Sequence, residues 1–298
     1  MTPCWRLLFC LLGGVLLPMP ALQAAAIFTH PSPESDQDTR ALYYRDVLQL
    51  ALEKTLDSHG DYQLRPAPQM NRVRLRLEVR LGTYPNFFSA DSQRTPDEML
   101  FLDYVPFPAE LGILGYRICF VSPQREREVA NITRLEQLQA LQHGQGRGWQ
   151  DVFILRHAGM QVQEVDSYER LFKLVSRGRI DLFCRGANEL YTELEQRPEL
   201  GLRVDKQVLI HYPFPHLFYT NKDNKQGVIR ITKGLQLAWL DGSLQKLWAS
   251  YFRAGLERAN LPARQLFELE NPLLTPLGVD LTPYQYDPIR QQFGKGTP

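Results

Sequence analysis

Short apolar runs alternate with longer amphipathic segments along most of this chain. Residues 27–30 have the apolar character of a first strand, and residues 42–52 carry apolar side chains at helical spacing. A helical pattern that begins at Tyr168 is followed by the short apolar run 180–184. This alternation predicts a layered α/β fold. Further predicted strands cover residues 62–64, 114–121, 204–210 and 217–220, and further helices lie within 133–141, 228–235 and 244–256.

One segment has an ambiguous pattern. From Val73 to Leu81 every second residue is apolar, and the residues between them are three arginines and a glutamate. A period of two is typical of a half-buried strand. However, the segment stands between two predicted strands and stops at Gly82, as a crossover helix with a C′ glycine does. We predict a helix over residues 70–81, with its arginines facing solvent.

Residues 1–26 have the order of a secretory signal peptide. Arg6 precedes the apolar run 7–17, and prolines then lead to Ala24-Ala25-Ala26. The run is too short to cross a bilayer comfortably. We expect cleavage near Ala26 and export to the periplasm, with no lipid anchor at Cys10 and no membrane insertion of the mature chain.

Composition narrows the class of protein. The net charge of +1 lacks the basic excess of a nucleic-acid binder. A mature chain of about 270 residues is long enough for two lobes. Of the four cysteines, only Cys119 and Cys184 lie beyond the signal segment. An oxidising compartment permits a disulfide between them, and two buried free thiols are the equal alternative.

The usual signatures of catalysis and metal binding are missing from the sequence. It has no nucleophile elbow, no HExxH motif and no CxxC pair, and its six histidines are scattered. We therefore expect a non-enzyme without metal or cofactor. The alternative, a secreted hydrolase or transferase, would use Glu34, Asp151 or Glu189 as acid–base groups, but nothing in the sequence pairs these carboxyl groups in one site.

The glycine-rich segment 144–148 precedes a predicted helix near Trp149. It lacks the Lys-Ser/Thr ending of a P-loop, so it is a weak candidate for binding phosphate. Because Trp149 and Asp151 follow directly, we predict a flexible loop that lines a ligand pocket. A tight turn with Trp149 buried is the alternative.

Two arginines are candidates for holding a carboxylate in a bidentate pair. Arg94 lies in a polar loop before residues 101–104. Arg185 directly follows the predicted strand 180–184, where strand ends face the crevice of an open α/β sheet. The alternatives are a surface arginine for Arg94 and an interlobe salt bridge for Arg185.

The order of these elements resembles family 3 of the periplasmic solute-binding proteins, the amino-acid-type substrate-binding proteins of ABC transporters. The resemblance spans nearly the whole mature chain through loose motifs, as in a divergent branch of the family. The similar segments are residues 43–54, Gln93-Arg94 with 101–104, 135–138, 168–181 with its Gly178-Arg179-Ile180-Asp181 motif, and 218–224 with 235–242.

The resemblance implies a two-lobed type 2 periplasmic binding fold with a hinge of two crossing strands, near residues 116–120 and 212–219. Lobe 1 would comprise residues 27–116 and 213–298, the latter including a C-terminal tail, and lobe 2 residues 117–212. A small-molecule solute would bind between the lobes, and closure would present it to a membrane permease or a sensor protein. We expect a monomer.

The resemblance also implies ligand-binding roles. Arg94 matches the family's arginine for an α-carboxylate, whereas Gly186, beside Arg185, replaces the usual acidic residue for the α-amino group. A site that gains a cation and loses an acid favours an anionic ligand, amino-acid-like or a carboxylate. The predicted ligand-binding residues are Glu34, Tyr44, Arg94, Trp149, Asp151, Arg185 and Glu189. A degenerate binding fold that serves as a protein-interaction or sensory module is the alternative function.

Overall fold

Two groups of β-strands, each flanked by helices, organise the chain into two lobes. The computed structural model describes residues 25–33, 40–92, 94–274 and 278–295, so most of the predicted signal segment and Glu34 lie outside the described residues. The strands are β1 (Ala26–His30), β2 (Tyr62–Pro66), β3 (Ser89–Ser92), β4 (Leu102–Tyr104), β5 (Tyr116–Val121), β6 (Gln142–Gly146), β7 (Gln161–Val165), β8 (Leu182–Gly186), β9 (Arg203–Val204), β10 (Val208–His211), β11 (His216–Asn221), β12 (Gln265–Glu268), β13 (Tyr286–Asp287) and β14 (Gln292–Phe293). The helices are α1 (Arg40–Glu53), α2 (Leu56–His59), α3 (Arg72–Leu81), α4 (Pro96–Met99), α5 (Glu126–Val129), α6 (Leu135–Gln139), α7 (Gln150–His157), α8 (Tyr168–Ser176), α9 (Leu190–Glu195), α10 (Lys225–Leu240) and α11 (Ser243–Ala259).

Lobe 1 contains β1 to β4 and β11. Strand β1 pairs in parallel with β2, and β11 lies antiparallel between β3 and β4. A parallel bridge from Thr29 to Phe87 connects the two groups of strands. Helices α1 and α10 pack closely on this lobe, because Gly234 has no side chain: a Cβ there would lie 2.1 Å from the carbonyl oxygen of Ala51.

Lobe 2 is built on a sheet whose strand order is β12-β10-β5-β8-β6-β7, with β9 also paired to β5. Strand β5 is antiparallel to both β8 and β10, whereas β6 is parallel to β7 and β8. Cys119 and Cys184 face each other on β5 and β8 and form a disulfide. The sequence permits either a disulfide or two free thiols, and the structure has the disulfide.

The C-terminal segment differs from the predicted division into lobes. Strand β12 pairs in parallel with β10, so it belongs to the sheet of lobe 2 although it lies within residues 213–298. The β13–β14 hairpin returns to lobe 1, where the rings of Tyr286 and Phe293 contact Trp248. The chain therefore crosses between the lobes again after the two predicted crossing strands.

Helix α3 confirms the prediction for residues 70–81. Asn71 caps its first turn by accepting a hydrogen bond from the Arg74 amide, and Gly82 ends it in the left-handed conformation at φ 65°. Because a helix does not follow a period of two, only Leu75 and Val79 are buried, and Val73 and Leu77 are exposed. None of the helices in the described part of the chain combines the length and apolar character that a membrane span requires.

Candidate functional site

Polar side chains from both lobes meet beside the two crossing strands. We call this group the interlobe cluster. Its members from lobe 1 are Tyr44, Glu110 and His216, and its members from lobe 2 are Arg117, Asp151, Arg185, Asn188 and Glu189.

The lobe 1 side of the cluster is a chain of three side chains. The Tyr44 hydroxyl, on α1, lies 2.9 Å from Nδ1 of His216, at the start of β11. The same His216 nitrogen lies 3.5 Å from Oε2 of Glu110. Glu110 is positioned by its own backbone, because its carbonyl oxygen accepts a hydrogen bond of 3.0 Å from Nε1 of the buried Trp248.

The lobe 2 side begins with an ion pair on the first crossing strand. Nη2 of Arg117, on β5, lies 3.0 Å from Oδ1 of Asp151, on α7, and both side chains are buried. The hydroxyl of Tyr212 donates a hydrogen bond of 2.5 Å to the same oxygen. Burial disfavours the guanidinium charge, but Asp151 outweighs it and raises the pKa of Arg117.

Arg185 is paired inside lobe 2. Its Nε lies 2.9 and 3.0 Å from the two oxygens of Glu193, and its Nη2 lies 2.8 Å from Oε2 of Glu189. Burial opposes the charge of Arg185, yet Glu189 and Glu193 hold its pKa well above the usual range. Arg185 also lies within β8, not after it, because the strand starts at Leu182 and ends at Gly186.

Glu110 and Glu189 bring carboxyl groups from the two lobes together. Asn188 contributes a hydrogen bond to Glu110. Burial and then the negative charge of Glu189 raise the pKa of Glu110 to about 8. Burial also lowers the pKa of His216 to about 3, so this ring is neutral at pH 7. At pH 7, therefore, His216 is neutral and the Glu110 carboxyl group is largely protonated where the two lobes meet.

Four polar atoms of the interlobe cluster are buried without a hydrogen-bond partner. Three of them are oxygens, Oε2 of Glu110, Oδ1 of Asn188 and Oε2 of Glu189, and the fourth is Nε of Arg117. The Glu189 oxygen has an ion-pair contact with Arg185, but without hydrogen-bond geometry. Buried polar atoms are normally satisfied, so atoms that converge unsatisfied between two lobes mark a place for a ligand.

Trp149 stands at the edge of this cluster. Its ring covers Gly146, where a Cβ would lie 2.3 Å from the indole, and Cζ of Arg185 lies 5.1 Å from the ring centroid. The predicted flexible loop 144–148 is wrong for its first half, because β6 continues to Gly146 between β7 and β8. The sequence gives little indication of this strand, because glycine is rare inside strands and usually indicates a loop.

Arg94 lies elsewhere. It pairs with Asp91 at 3.3 Å and with Glu98, and it lines a cavity of about 210 Å³ between α3 and the sheet. Asp91 and Tyr219 line this cavity, whereas Ala90 and Phe218 point into the main core beside Tyr44. Because neighbouring residues of a strand face opposite sides, Arg94 and Tyr44 lie on opposite faces of the lobe 1 sheet.

The structure therefore brings together five of the seven predicted ligand-binding residues. They are Tyr44, Trp149, Asp151, Arg185 and Glu189. Arg94 is on the other side of the lobe 1 sheet, and Glu34 is outside the described residues.

Four members of the cluster are not among the predicted ligand-binding residues: Glu110, Arg117, Asn188 and His216. Arg117 lies within the predicted strand 114–121 and Asn188 follows the predicted strand 180–184, but nothing in the sequence indicates which side these two residues face. Glu110 lies in an irregular segment, and His216 is one of six histidines that are scattered along the sequence without a motif. In residues 25–33, 40–92, 94–274 and 278–295, no group of three or more His, Cys, Asp or Glu is arranged to hold a metal ion.

Comparison with solved structures identifies the fold. An ancestral arginine-binding protein bound to arginine is 17% identical, with a TM-score of 0.56, over 76% of this chain and 98% of that chain. An amino acid ABC transporter substrate-binding protein, AbpA from Streptococcus pneumoniae, bound to L-arginine, is 13% identical, with a TM-score of 0.54, over 78% and 95%. An ancestral amino-acid-binding protein described as a precursor of cyclohexadienyl dehydratase is 13% identical, with a TM-score of 0.53, over 76% and 96%.

These similarities confirm the predicted fold class. The chain has the two-lobed type 2 periplasmic binding fold, and the structures that share it are mostly described as amino-acid-binding proteins. No family profile and no curated protein sequence matches the chain.

Proposed function

We propose that this chain is a periplasmic solute-binding protein that closes its two lobes on a small polar solute. The observation that carries the proposal is the convergence of unpartnered buried polar atoms from both lobes in the interlobe cluster. Tyr44 and Trp149 would contact the solute as aromatic surfaces, and Asp151, Arg185 and Glu189 would orient it. Delivery to a membrane permease or a sensor, and action as a monomer, are parts of the same proposal.

The solute of this proposal carries a carboxylate, as the sequence leads us to expect for an anionic or amino-acid-like ligand. Arg185 is already neutralised by Glu189 and Glu193. Arg117 supports the proposal better, because its buried Nε has no hydrogen-bond partner and a guanidinium nitrogen binds a carboxylate strongly. We therefore assign the carboxylate to Arg117.

The test is a thermal-shift screen of the mature protein after unfolding and refolding, which removes carried-over ligand. The panel holds amino acids, dicarboxylates, sugar acids, short peptides and polyamines. A ligand at a hundred times its Kd stabilises by about 2.7 kcal/mol, which raises Tm by several degrees. Stabilisation that is lost in Tyr44→Ala supports binding in the cluster, and equal stabilisation of that variant contradicts it.

Two other functions have a supporting observation each. Arg94 and Arg185 each form an ion pair with carboxylates of their own lobe, Asp91 and Glu193 respectively. This pairing favours a degenerate site in a protein-interaction or sensory module, and such a protein would not be stabilised by any ligand of the panel. The buried carboxyl group of Glu110, whose pKa lies near 8, favours an enzyme that uses it as a general acid. Turnover of a panel compound that is lost in Glu110→Gln would establish the enzyme.

A further inference from the structure

Helix α3 carries an exposed row of apolar side chains. Val73, Leu77 and Leu81 are 78%, 50% and 63% exposed. Because they recur every four residues, they lie on one side of the helix, and the buried Leu75 and Val79 lie on the other. Single exposed apolar residues are normal on a protein surface, whereas a continuous row of them indicates a surface that contacts another molecule.

A cavity opens beside this row, between α3 and the strands of lobe 1. Its volume is about 210 Å³, and the residues that line it include Leu77, Arg80, Leu102 and Tyr219. Phe101 is adjacent, because Cζ of Arg80 lies 3.6 Å from the centroid of its ring. A cavity of about 150 Å³ is large enough to bind benzene. The cavity therefore has room for one aromatic side chain. We call the row and the cavity together the α3 surface.

The α3 surface is basic. Helix α3 contains four arginines and one glutamate. Arg74 pairs with Glu78 at 3.2 Å, and Arg76 pairs with Asp91 at 2.8 Å. Arg80 is exposed and forms no ion pair with a carboxylate of the described residues. Because interfaces match opposite charges, we expect the molecule that covers this surface to be negatively charged.

We propose that the α3 surface binds an acidic segment of another protein, and that this segment inserts one aromatic side chain into the cavity. Clusters of arginines are a common means of recognising acidic segments. A guanidinium group beside an aromatic ring adds a favourable cation–π contact, and Arg76 and Arg80 both line the cavity. An aromatic side chain buried in a pocket supplies much of the binding energy in many protein interfaces.

The α3 surface is separate from the interlobe cluster. The cavity lies on the face of the lobe 1 sheet that carries Asp91 and Tyr219, whereas Tyr44 contacts Phe218 on the other face. The inference therefore goes beyond solute binding and does not depend on it.

Two other occupants fit the α3 surface less well. A second copy of this chain, related by a two-fold axis, would bring the arginines of two α3 helices together, and like charges repel. An anionic lipid bilayer would attract the arginines, but a layer of lipid headgroups presents no aromatic side chain to the cavity. An acidic protein segment matches both the charge and the cavity.

Peptide selection on the mature protein tests the inference. Wild type is the bait for a displayed library of short random peptides. Enriched peptides should combine one aromatic residue with two or more Asp or Glu residues. In fluorescence anisotropy, replacing the aromatic residue of the peptide by alanine should weaken binding at least tenfold. Rising salt concentration should also weaken binding, because it screens the charges.

Matched variants locate the binding site. Leu77→Glu places a negative charge in the row and should weaken the enriched peptide at least tenfold. Ile229→Glu is its control, because Ile229 of α10 is 53% exposed, close to the 50% of Leu77, and affinity should stay within about twofold. Arg80→Glu should weaken binding as Leu77→Glu does. Arg253→Glu makes the same change of charge at an exposed position of α11 and should not weaken it.

Failure to enrich acidic aromatic peptides would overturn the inference, and so would equal peptide affinity of Leu77→Glu and Ile229→Glu. If Leu77→Glu instead abolishes sedimentation with phosphatidylglycerol vesicles, or abolishes self-association, the surface belongs to a membrane or to a second copy and the inference is wrong. Solute stabilisation in the thermal screen should be the same in wild type and Leu77→Glu. Failure of this inference and failure of solute binding are therefore distinguishable.

Discussion

Nη2 of Arg117 lies 3.0 Å from Oδ1 of Asp151, and the same oxygen accepts a hydrogen bond from Tyr212. Arg117 belongs to the first predicted crossing strand, and Tyr212 is the first residue of the second, a few residues before β11 begins. One buried carboxylate on α7 therefore connects both segments that join the lobes. The geometry of the interlobe cluster depends on this contact, because Arg117 is itself a member.

Asp151→Ala should lower the free energy of unfolding by about 3–5 kcal/mol. The substitution leaves the buried guanidinium of Arg117 without its counterion, and an unpaired buried charge is costly. Urea unfolding measures the loss. Asp166→Ala is the control, because that side chain is 79% exposed and should change stability by less than about 0.5 kcal/mol. Equal effects of the two variants would disprove the role of Asp151.

Arg185→Ala should lower the free energy of unfolding by a similar amount, about 3–5 kcal/mol, because it leaves the buried carboxylates of Glu189 and Glu193 without their counterion. In the double variant Arg185→Leu with Glu193→Leu, the loss should be smaller than the sum of the two single substitutions. Chemical denaturation of the four proteins gives the coupling energy. Additive losses would show that the observed pairing contributes nothing.

Arg94→Ala should leave solute affinity within about twofold, whereas Glu189→Gln should weaken it at least tenfold. The reason is position, since Arg94 lies across the lobe 1 sheet from the interlobe cluster. Isothermal titration with the first compound found in the thermal screen measures both affinities. A large loss in Arg94→Ala together with no loss in Glu189→Gln would place the carboxylate at Arg94, as the family resemblance implies.

Glu110 should make stability fall as pH rises from about 5 to 8. Its pKa is raised from 4.5 to about 8, so in this range the folded protein holds a proton that the unfolded chain has released. The stabilising contribution is complete below pH 4.5 and is lost as pH rises through about 8. His216 has the opposite effect below pH 6.5, because its pKa is lowered to about 3.

The comparison with Glu110→Gln isolates this contribution. Wild type should lose stability relative to the variant by up to about 1.4 kcal/mol per pH unit between pH 5 and 8. Urea unfolding at intervals of one pH unit gives the difference curve. A difference that does not change with pH would mean that Glu110 titrates as a normal glutamate.

Removing the disulfide should cost about 2–4 kcal/mol, since Cys119 and Cys184 are 65 residues apart in the sequence and their link constrains the unfolded chain. The double variant Cys119→Ala with Cys184→Ala should show this loss, measured against wild type purified under oxidising conditions. Dithiothreitol should lower the Tm of wild type and leave the variant unchanged. Identical stabilities would indicate that the thiols are free in solution.

Local sequence signals predicted much of the fold. The glycine at 82 and the order of elements identified α3 in spite of its strand-like alternation, and the pattern after Ser167 located α8. Strand β6 was missed because His143, Gly144, Gln145 and Gly146 are not typical strand residues; they are buried because neighbouring strands cover them. The strand conformation of this segment is therefore determined by its pairing with β7 and β8 and not by its local sequence.

The candidate site was harder to predict, because its chemistry depends on non-local pairing. The sequence shows that Arg185 follows apolar residues, but not that Glu193, eight residues later on α9, pairs with it. Glu110 carries no motif, and its properties arise from burial against Glu189 of the other lobe. Individual arginines were therefore recognisable, and the balance of charges around them was not.

The position of strand β12 matters for the design of fragments of this chain. It is contributed by the chain after α11 but completes the lobe 2 sheet at the edge of β10. A fragment of residues 117–212 would lack this strand and would expose the backbone donors and acceptors of Val208 to His211. Such a fragment should associate or aggregate, and one extended by a linked copy of residues 265–268 should be more soluble. We therefore expect that the middle third of the chain does not fold autonomously.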